Sequence, residues 1–305
     1  MSPPTGEVGG PVPDLACVVL THTDPVHTRR LIEALDPFPV FLHCDIATSA
    51  SAFEAMKRDL PERCRVLPRM NTGWARWENV AAELMGYRVA LETTDATHVA
   101  LLSGSDYPLA STDEIRSLLS RHLGRSITLT TPMPIAGWGR DGGLSRLRYR
   151  HRVWRKHMLR LPFPRRLPRD VVPSGGPQHK ILARAHARQV VDVAARRPDL
   201  VAFWRDSWVA DETFVPSVLN SPELVPSWAD EHVAETLWAI GWDGRRRKSP
   251  PWLTTDHLDI LGRARAGEID DGVPKFFARK FSTDVDTHVL DLIDTVFRGT
   301  TVPTS

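Results

Sequence analysis

At 305 residues with 42% hydrophobic side chains, the chain is long enough to bury a sizeable core, as one large α/β domain or two small ones. Its 39 basic and 37 acidic residues leave a net charge of +2, which excludes a general polyanion binder and makes any basic surface a local one. The three cysteines, Cys17, Cys44 and Cys64, stand in no CxxC or Cys/His spacing, which argues against a zinc or redox site and fits a reducing cytoplasm.

Residues 1–14, rich in Pro and Gly, lack the charged start and apolar stretch of a signal peptide and read as a disordered leader. No later apolar run approaches the roughly 18 residues of a membrane span, so the expectation is a cytoplasmic protein. Leu15–Thr21 (LACVVLT) is a short apolar run rich in β-branched residues, predicting a buried strand, with a helix over Val26–Leu35. Pro39–Asp45 (PVFLHCD) and Ser51–Arg58 repeat the pair, and Val66–Pro68 is a shorter strand; this is the rhythm of a mainly parallel α/β sheet flanked by helices. Trp77–Leu91 carries apolar residues at helical spacing, and His98–Leu102 (HVALL) predicts a strand that ends in the polar turn Ser103-Gly104-Ser105-Asp106. Ligands of parallel sheets bind beyond the carboxyl ends of strands, so this turn is the first site candidate.

Ile127–Thr130 predicts a further strand. Between Arg146 and Arg169 the chain carries ten Arg or Lys and no Asp or Glu, which reads as a long insertion beside the site. Helices are expected over Ala183–Ala195, Asp211–Leu219 and Thr287–Phe297. No internal repeat is present, and one domain over 15–298 with a flexible tail at 299–305 is the preferred organisation.

Four segments in this order, LLSGSDYPL (Leu101–Leu109), GPQHKILAR (Gly176–Arg184), ADETF (Ala210–Phe214) and FFARKF (Phe276–Phe281), resemble the core-2/I-branching family of glycosyltransferases, whose relatives include peptide xylosyltransferases. Thr21-His22, the FLHCD strand ending at Asp45 and the segment Trp74–Val80 are weaker matches. The resemblance implies a GT-A-like nucleotide-sugar fold with a donor half at about 15–135 and an acceptor half at about 136–298. It further implies inverting transfer from a UDP-sugar, UDP-N-acetylglucosamine first and UDP-xylose second, onto a hydroxyl of a glycan, peptide, lipid-linked or natural-product acceptor. Neither cofactor nor metal is expected, and the implied origin is a bacterial-type member. A non-catalytic glycan or nucleic-acid binder that kept the fold is the alternative from another class.

Such a transfer needs a base for the acceptor hydroxyl and cations for the leaving diphosphate. The resemblance assigns Glu212 as the base and Lys280 as the diphosphate cation, with Asp211 capping or orienting. Taken alone, Asp211 and Glu212 also fit the first turn of a helix, where the helix dipole favours acids, and Arg279-Lys280 also fits a solvated strand end. In a strand, adjacent side chains face opposite ways, so only one of Arg279 and Lys280 can meet a given ligand. The second family cation, an arginine before this lysine, is missing from SPPWLTTDHL (Ser249–Leu258); Arg245, Arg246, Arg247 and Lys248, or the basic insertion, are the candidate substitutes. A single carboxylate makes Asp106 a poor divalent-metal site, and the resemblance implies that this aspartate contacts the donor, against an Asx-turn role. Asp284-Val285-Asp286 is better explained as helix-start chemistry. Asp45 and His22, at strand ends, are candidates for the nucleotide.

Arg148-Tyr149 resembles an Arg-Tyr pair of the family's acceptor half, and these two with Trp208 are read as acceptor-binding. The remaining arginines fit an anionic acceptor or peripheral association with an anionic membrane surface; interleaved Arg, Tyr149 and Trp154 are also how single-stranded nucleic acid is held, although no nucleic-acid partner is expected. His179 and Lys180 stand where many relatives carry aromatic residues, which removes an apolar platform for a sugar ring. Trp204, Trp208 and Trp242 are the remaining aromatic candidates.

Overall fold

The computed structural model describes residues 14–73, 75–154, 157–241, 249–269 and 271–300, apart from the side chains of Val153, Trp154 and His157. Residues 1–13 of the leader, Trp74, Trp242, the Arg245–Lys248 run and residues 301–305 of the tail therefore lie outside the described residues, as does the side chain of Trp154. In chain order, β1 (Leu15–Thr21) leads to α1 (Pro25–Ala34), β2 (Val40–Cys44) to α2 (Ala50–Lys57), and β3 (Cys64–Val66) to α3 (Trp77–Thr93) and β4 (His98–Ser103). Next come β5 (Asp106–Pro108), α4 (Thr112–Arg121), β6 (Ser126–Ile127), β7 (Thr131–Pro132), α5 (Ser145–Arg148) and the hairpin of β8 (Tyr149–Trp154) and β9 (His157–Pro164). After β10 (Ser174–Gly175) follow β11 (Lys180–Ala183), α6 (Arg184–Arg196), α7 (Pro198–Arg205), a 3₁₀ turn at Ala210–Glu212 and α8 (Phe214–Leu219). The chain closes with β12 (His232–Val233), β13 (Trp238–Ile240), α9 (Leu258–Arg265), β14 (Phe277–Arg279) and α10 (His288–Leu292), extended by a π-helical turn at Ile293–Phe297.

The central sheet has seven strands in the order β12-β6-β11-β4-β1-β2-β3. Its β1–β2, β1–β4, β2–β3 and β6–β12 ladders are parallel, and only β11 runs against its neighbours β4 and β6. Strand periodicity splits β1 between two cores: Leu15, Cys17 and Val19 pack with α1, α4, α9 and β14, whereas Ala16 and Val18 pack with α3, α6 and α8. Both faces are covered, which is why the strands read as continuous apolar runs.

Local chemistry sets the helix starts nearest the carboxyl edge. Asp24, at φ 51°, accepts from the His27 amide at 2.9 Å, with Pro25 at the first helical position of α1. Ser111 and Glu114 form a reciprocal capping box on α4. The helix expected over Asp211–Leu219 is divided: Val209, at φ 54°, turns the chain sharply, the acidic pair falls in the 3₁₀ turn, and α8 begins only at Phe214. Thr213 ties the break together by accepting from the Trp204 indole at 3.1 Å and donating to the Val209 carbonyl at 3.2 Å.

Candidate active site

The carboxyl ends of β2, β1 and β4 form one edge. Thr21 O accepts from Asp45 N at 2.9 Å, Leu20 O accepts from Gly104 N at 2.8 Å, and Thr48 Oγ1 donates to His22 O at 2.9 Å. His22, Asp45 and the Ser103–Asp106 turn are thereby brought together, as the sheet order requires. A Cβ on Gly104 would lie 2.2 Å from Thr21 Oγ1, so the close approach of the turn to β1 admits only glycine.

The FFARKF segment reaches the same edge. Phe281 N donates to Ser105 O at 2.8 Å, and Asp24 accepts from Ser282 Oγ at 2.7 Å, Thr283 N at 2.8 Å and Thr283 Oγ1 at 2.6 Å. Burial would raise the Asp24 pKa, but these donors hold its carboxyl below the usual carboxylate range. Lys280 Nζ donates to Ser249 Oγ at 2.9 Å and lies 4.0 Å from the Trp252 ring centroid; burial and the neighbouring Arg279 charge lower its pKa. Arg279 turns the other way. Its Nε stands 3.5 Å from Asp106 Oδ1 and its Nη1 bonds His179 Nε2.

Asp106 is fully buried. Its oxygens accept from Ser103 Oγ at 2.7 Å, Ser103 N at 3.1 Å and Trp238 Nε1 at 3.0 Å, the geometry of a residue that braces the turn and faces Arg279. His179, stacked on Trp238, has its pKa depressed to about 3 by burial and by Arg279, so it accepts from Arg279 as a neutral ring. Asp45 is also committed: it accepts from Ala47 N at 2.6 Å and from Thr72 N and Oγ1 at 2.6 and 2.5 Å, bonds that outweigh burial and keep its pKa low. His22 is exposed at the edge.

A second group surrounds Glu212. Its Oε2 accepts from Arg146 Nη1 at 2.7 Å, and the Arg146 guanidinium sits 3.9 Å from the Trp138 ring centroid and 5.6 Å from that of Trp208. Arg146, Trp138, Arg148, Tyr149, Arg160 and Trp208 line a cleft of about 540 Å³, which brings together the three residues expected to bind an acceptor. Near Asp211 lies a sealed charge pair, Lys180 Nζ to Glu83 Oε1 at 2.9 Å, with side chains 1% and 0% exposed; Tyr87 OH also donates to Glu83 at 2.8 Å. Asp211 Oδ1 is buried without a hydrogen bond, and burial followed by the adjacent Glu212 charge raises its pKa to about 7. His179 and Lys180 thus form no aromatic-like platform; both are interior residues.

Gly176-Pro177-Gln178-His179-Lys180 joins the two groups. Gly176 N donates to Glu212 O at 3.0 Å, His179 meets Arg279, and Lys180 meets Glu83. No direct contact between Glu212 and Lys280 is present among the described residues. Sequence reasoning missed Arg146, which a run of ten basic residues cannot single out, and Trp138, Trp238 and Glu83, whose partners are remote in sequence. The one available signal was the Gly-Trp-Gly at Gly137–Gly139, a loop flexible enough to present an aromatic ring.

Rat xylosyltransferase 2 is 25% identical over 97% of this chain, and human xylosyltransferase 1 is 27% identical over 77% of it. The chain spans 35% and 25% of those proteins' lengths, respectively. Among solved structures, the bifunctional IspDF of Campylobacter jejuni aligns over 59% of this chain and 43% of its own, with a TM-score of 0.28 and 11% identity. The family model described as Core-2/I-Branching enzyme matches residues 19–264, so the chain belongs to that family.

Proposed function

We propose that this chain is an inverting glycosyltransferase that moves a sugar from a UDP-sugar to a hydroxyl acceptor without a divalent metal. The observation that carries the reading is Glu212: a carboxylate 38% exposed, held at 2.7 Å by a guanidinium that itself lines an aromatic cleft. There it can take the proton of an acceptor hydroxyl while that oxygen attacks the anomeric carbon and the bond to the diphosphate breaks. Lys280 neutralises the departing diphosphate at the sheet edge, while Arg279, turned the other way, is held by Asp106 and His179. Arg148, Tyr149 and Trp208 line the acceptor side. His22 contacts the nucleotide, whereas Asp106 and Asp45 serve the donor indirectly, by fixing the turn and loop around it. The hydrogen-bond donors and Arg279 crowding Asp106 make its carboxylate hostile to a divalent cation, which supports metal-free chemistry.

UDP-N-acetylglucosamine is the donor in this reading. UDP-xylose is the second, favoured by the names of the relatives just described. Calorimetric titration with UDP and both sugars in EDTA, on the wild type and Lys280→Ala, tests the whole scheme. Binding without metal, weakened roughly ten- to hundredfold in the variant by loss of a charge-assisted contact, is expected. A strict requirement for Mn²⁺ refutes the metal-free mechanism, and absence of nucleotide binding under either condition refutes the transferase.

A further inference from the structure

The β8–β9 hairpin has two unlike faces. Tyr149 and Arg160 turn to the cleft, and His151, 7% exposed, packs on Trp208 at 5.9 Å between ring centroids. Because side chains alternate along a strand, the residues between them face outward. Arg152 pairs across the hairpin with Leu159, and Leu161 and Phe163 follow in the same strand, where the register shifts before Pro164 meets Tyr149. Leu159, Leu161 and Phe163 are 44%, 38% and 78% exposed. Beside them Arg150 and Arg152, with side chains 59% and 62% exposed, share the single carboxylate of Asp206 at 3.6 and 3.1 Å. No Asp or Glu occurs from Gly142 to Arg169, so the hairpin itself carries no acidic side chain.

An apolar column exposed to water within a basic field is out of keeping with a merely solvated charge run. Single strands are gripped by a row of aromatic rings on which successive bases stack, whereas this column offers two leucines and a single ring, Phe163. The combination instead suits a surface with anionic headgroups outside and acyl chains just beneath: long basic side chains stay at headgroup depth while Leu and Phe enter the interface. We infer that the outward face of the Tyr149–Pro164 hairpin docks on an anionic lipid bilayer, placing the cleft on its other face beside the membrane. This inference is independent of the reading of Glu212.

Co-sedimentation of the full chain with vesicles tests it. Vesicles of phosphatidylcholine with about a third phosphatidylglycerol should carry the protein down, pure phosphatidylcholine vesicles should not, and 0.5 M salt should release it, because screening lengths fall to a few ångströms. Each basic residue at such a surface contributes about fivefold to partitioning, so Arg150→Gln/Arg152→Gln should weaken binding roughly 25-fold. Phe163→Ser, at a position too exposed to matter for folding, should weaken it with charge intact; unchanged thermal unfolding of both variants confirms the fold. Equal binding to neutral and anionic vesicles, no binding to either, indifference to Phe163→Ser, or preferential capture by a single-stranded oligonucleotide would each overturn the proposal.

Discussion

Replacing Glu212 by glutamine separates a catalytic carboxylate from a structural one. The amide keeps the size of the side chain and a carbonyl oxygen that can still accept from Arg146 Nη1, now 2.7 Å away, but it cannot take a proton. The stability cost is small, since the ion pair joins groups 18% and 38% exposed, and pairs of this kind contribute about 0.2–1 kcal/mol. A domain of this size then loses at most about 4 °C in Tm. A positioned general base, by contrast, contributes about 10²–10⁴-fold, or roughly 3–5 kcal/mol of barrier. Release of UDP from UDP-N-acetylglucosamine or UDP-xylose, by slow transfer to water, should therefore fall at least a hundredfold, while calorimetric affinity for UDP and the unfolding midpoint barely move. Turnover within threefold of wild type would sink the assignment of Glu212. A fall in Tm of ten degrees or more would sink the separation of roles.

Three further perturbations probe the surroundings of the site. Lys180→Met leaves Glu83 charged, buried and short of its partner, and breaking a buried pair from one side costs about 3–5 kcal/mol; chemical denaturation should show this loss, and Glu83→Gln added to it should recover most of it. Gly104→Ala places a Cβ 2.2 Å from Thr21 Oγ1 and 3.1 Å from Thr21 Cα, so the turn must move; UDP affinity should drop at least tenfold, and an unchanged affinity would show that the turn does not shape the donor site. Asp211, raised from 3.8 to about 7 by burial and Glu212, binds its proton more tightly folded than unfolded. Its contribution to stability is complete below about pH 4 and is lost as the pH rises through about 7. Asp211→Asn should therefore flatten the fall in denaturant-measured stability across that window, and a wild-type slope retained in the variant would contradict the assignment.

The parts of this fold that could be read from sequence are those whose stabilising partners lie close along the chain. β1, α1, β2, α2, α3 and β4 fall within a few residues of expectation, because each is an apolar run or stripe buried against neighbours of the same βα rhythm. α4 has a legible start in Ser111 with Glu114 followed by Ile115, Leu118 and Leu119, although no helix is expected there above. β11 is a different kind of miss. Lys180 sits in its first position and Arg184 just past its end, so the segment reads as polar; only Glu83, distant in sequence on α3, makes a buried lysine tolerable there. The basic segment hides its strands for a related reason, since Arg alternates with Tyr149 and His151 instead of with aliphatic residues, and the alternation becomes visible only once one face is seen against Trp208 and the other against solvent. The site divides in the same way. Glu212, Lys280 and the Ser103–Asp106 turn stand out as residue types at a strand end or in a family-like segment, whereas what orients them is tertiary: Arg146 on Glu212, Arg279 and Trp238 on Asp106, and Gly176–Lys180 reaching between the two groups. Groups that touch a ligand are constrained by chemistry and so leave a local signature, but the groups that hold them need only be near in space. A variant such as Lys180→Met can therefore disturb the site without altering any residue a substrate would meet.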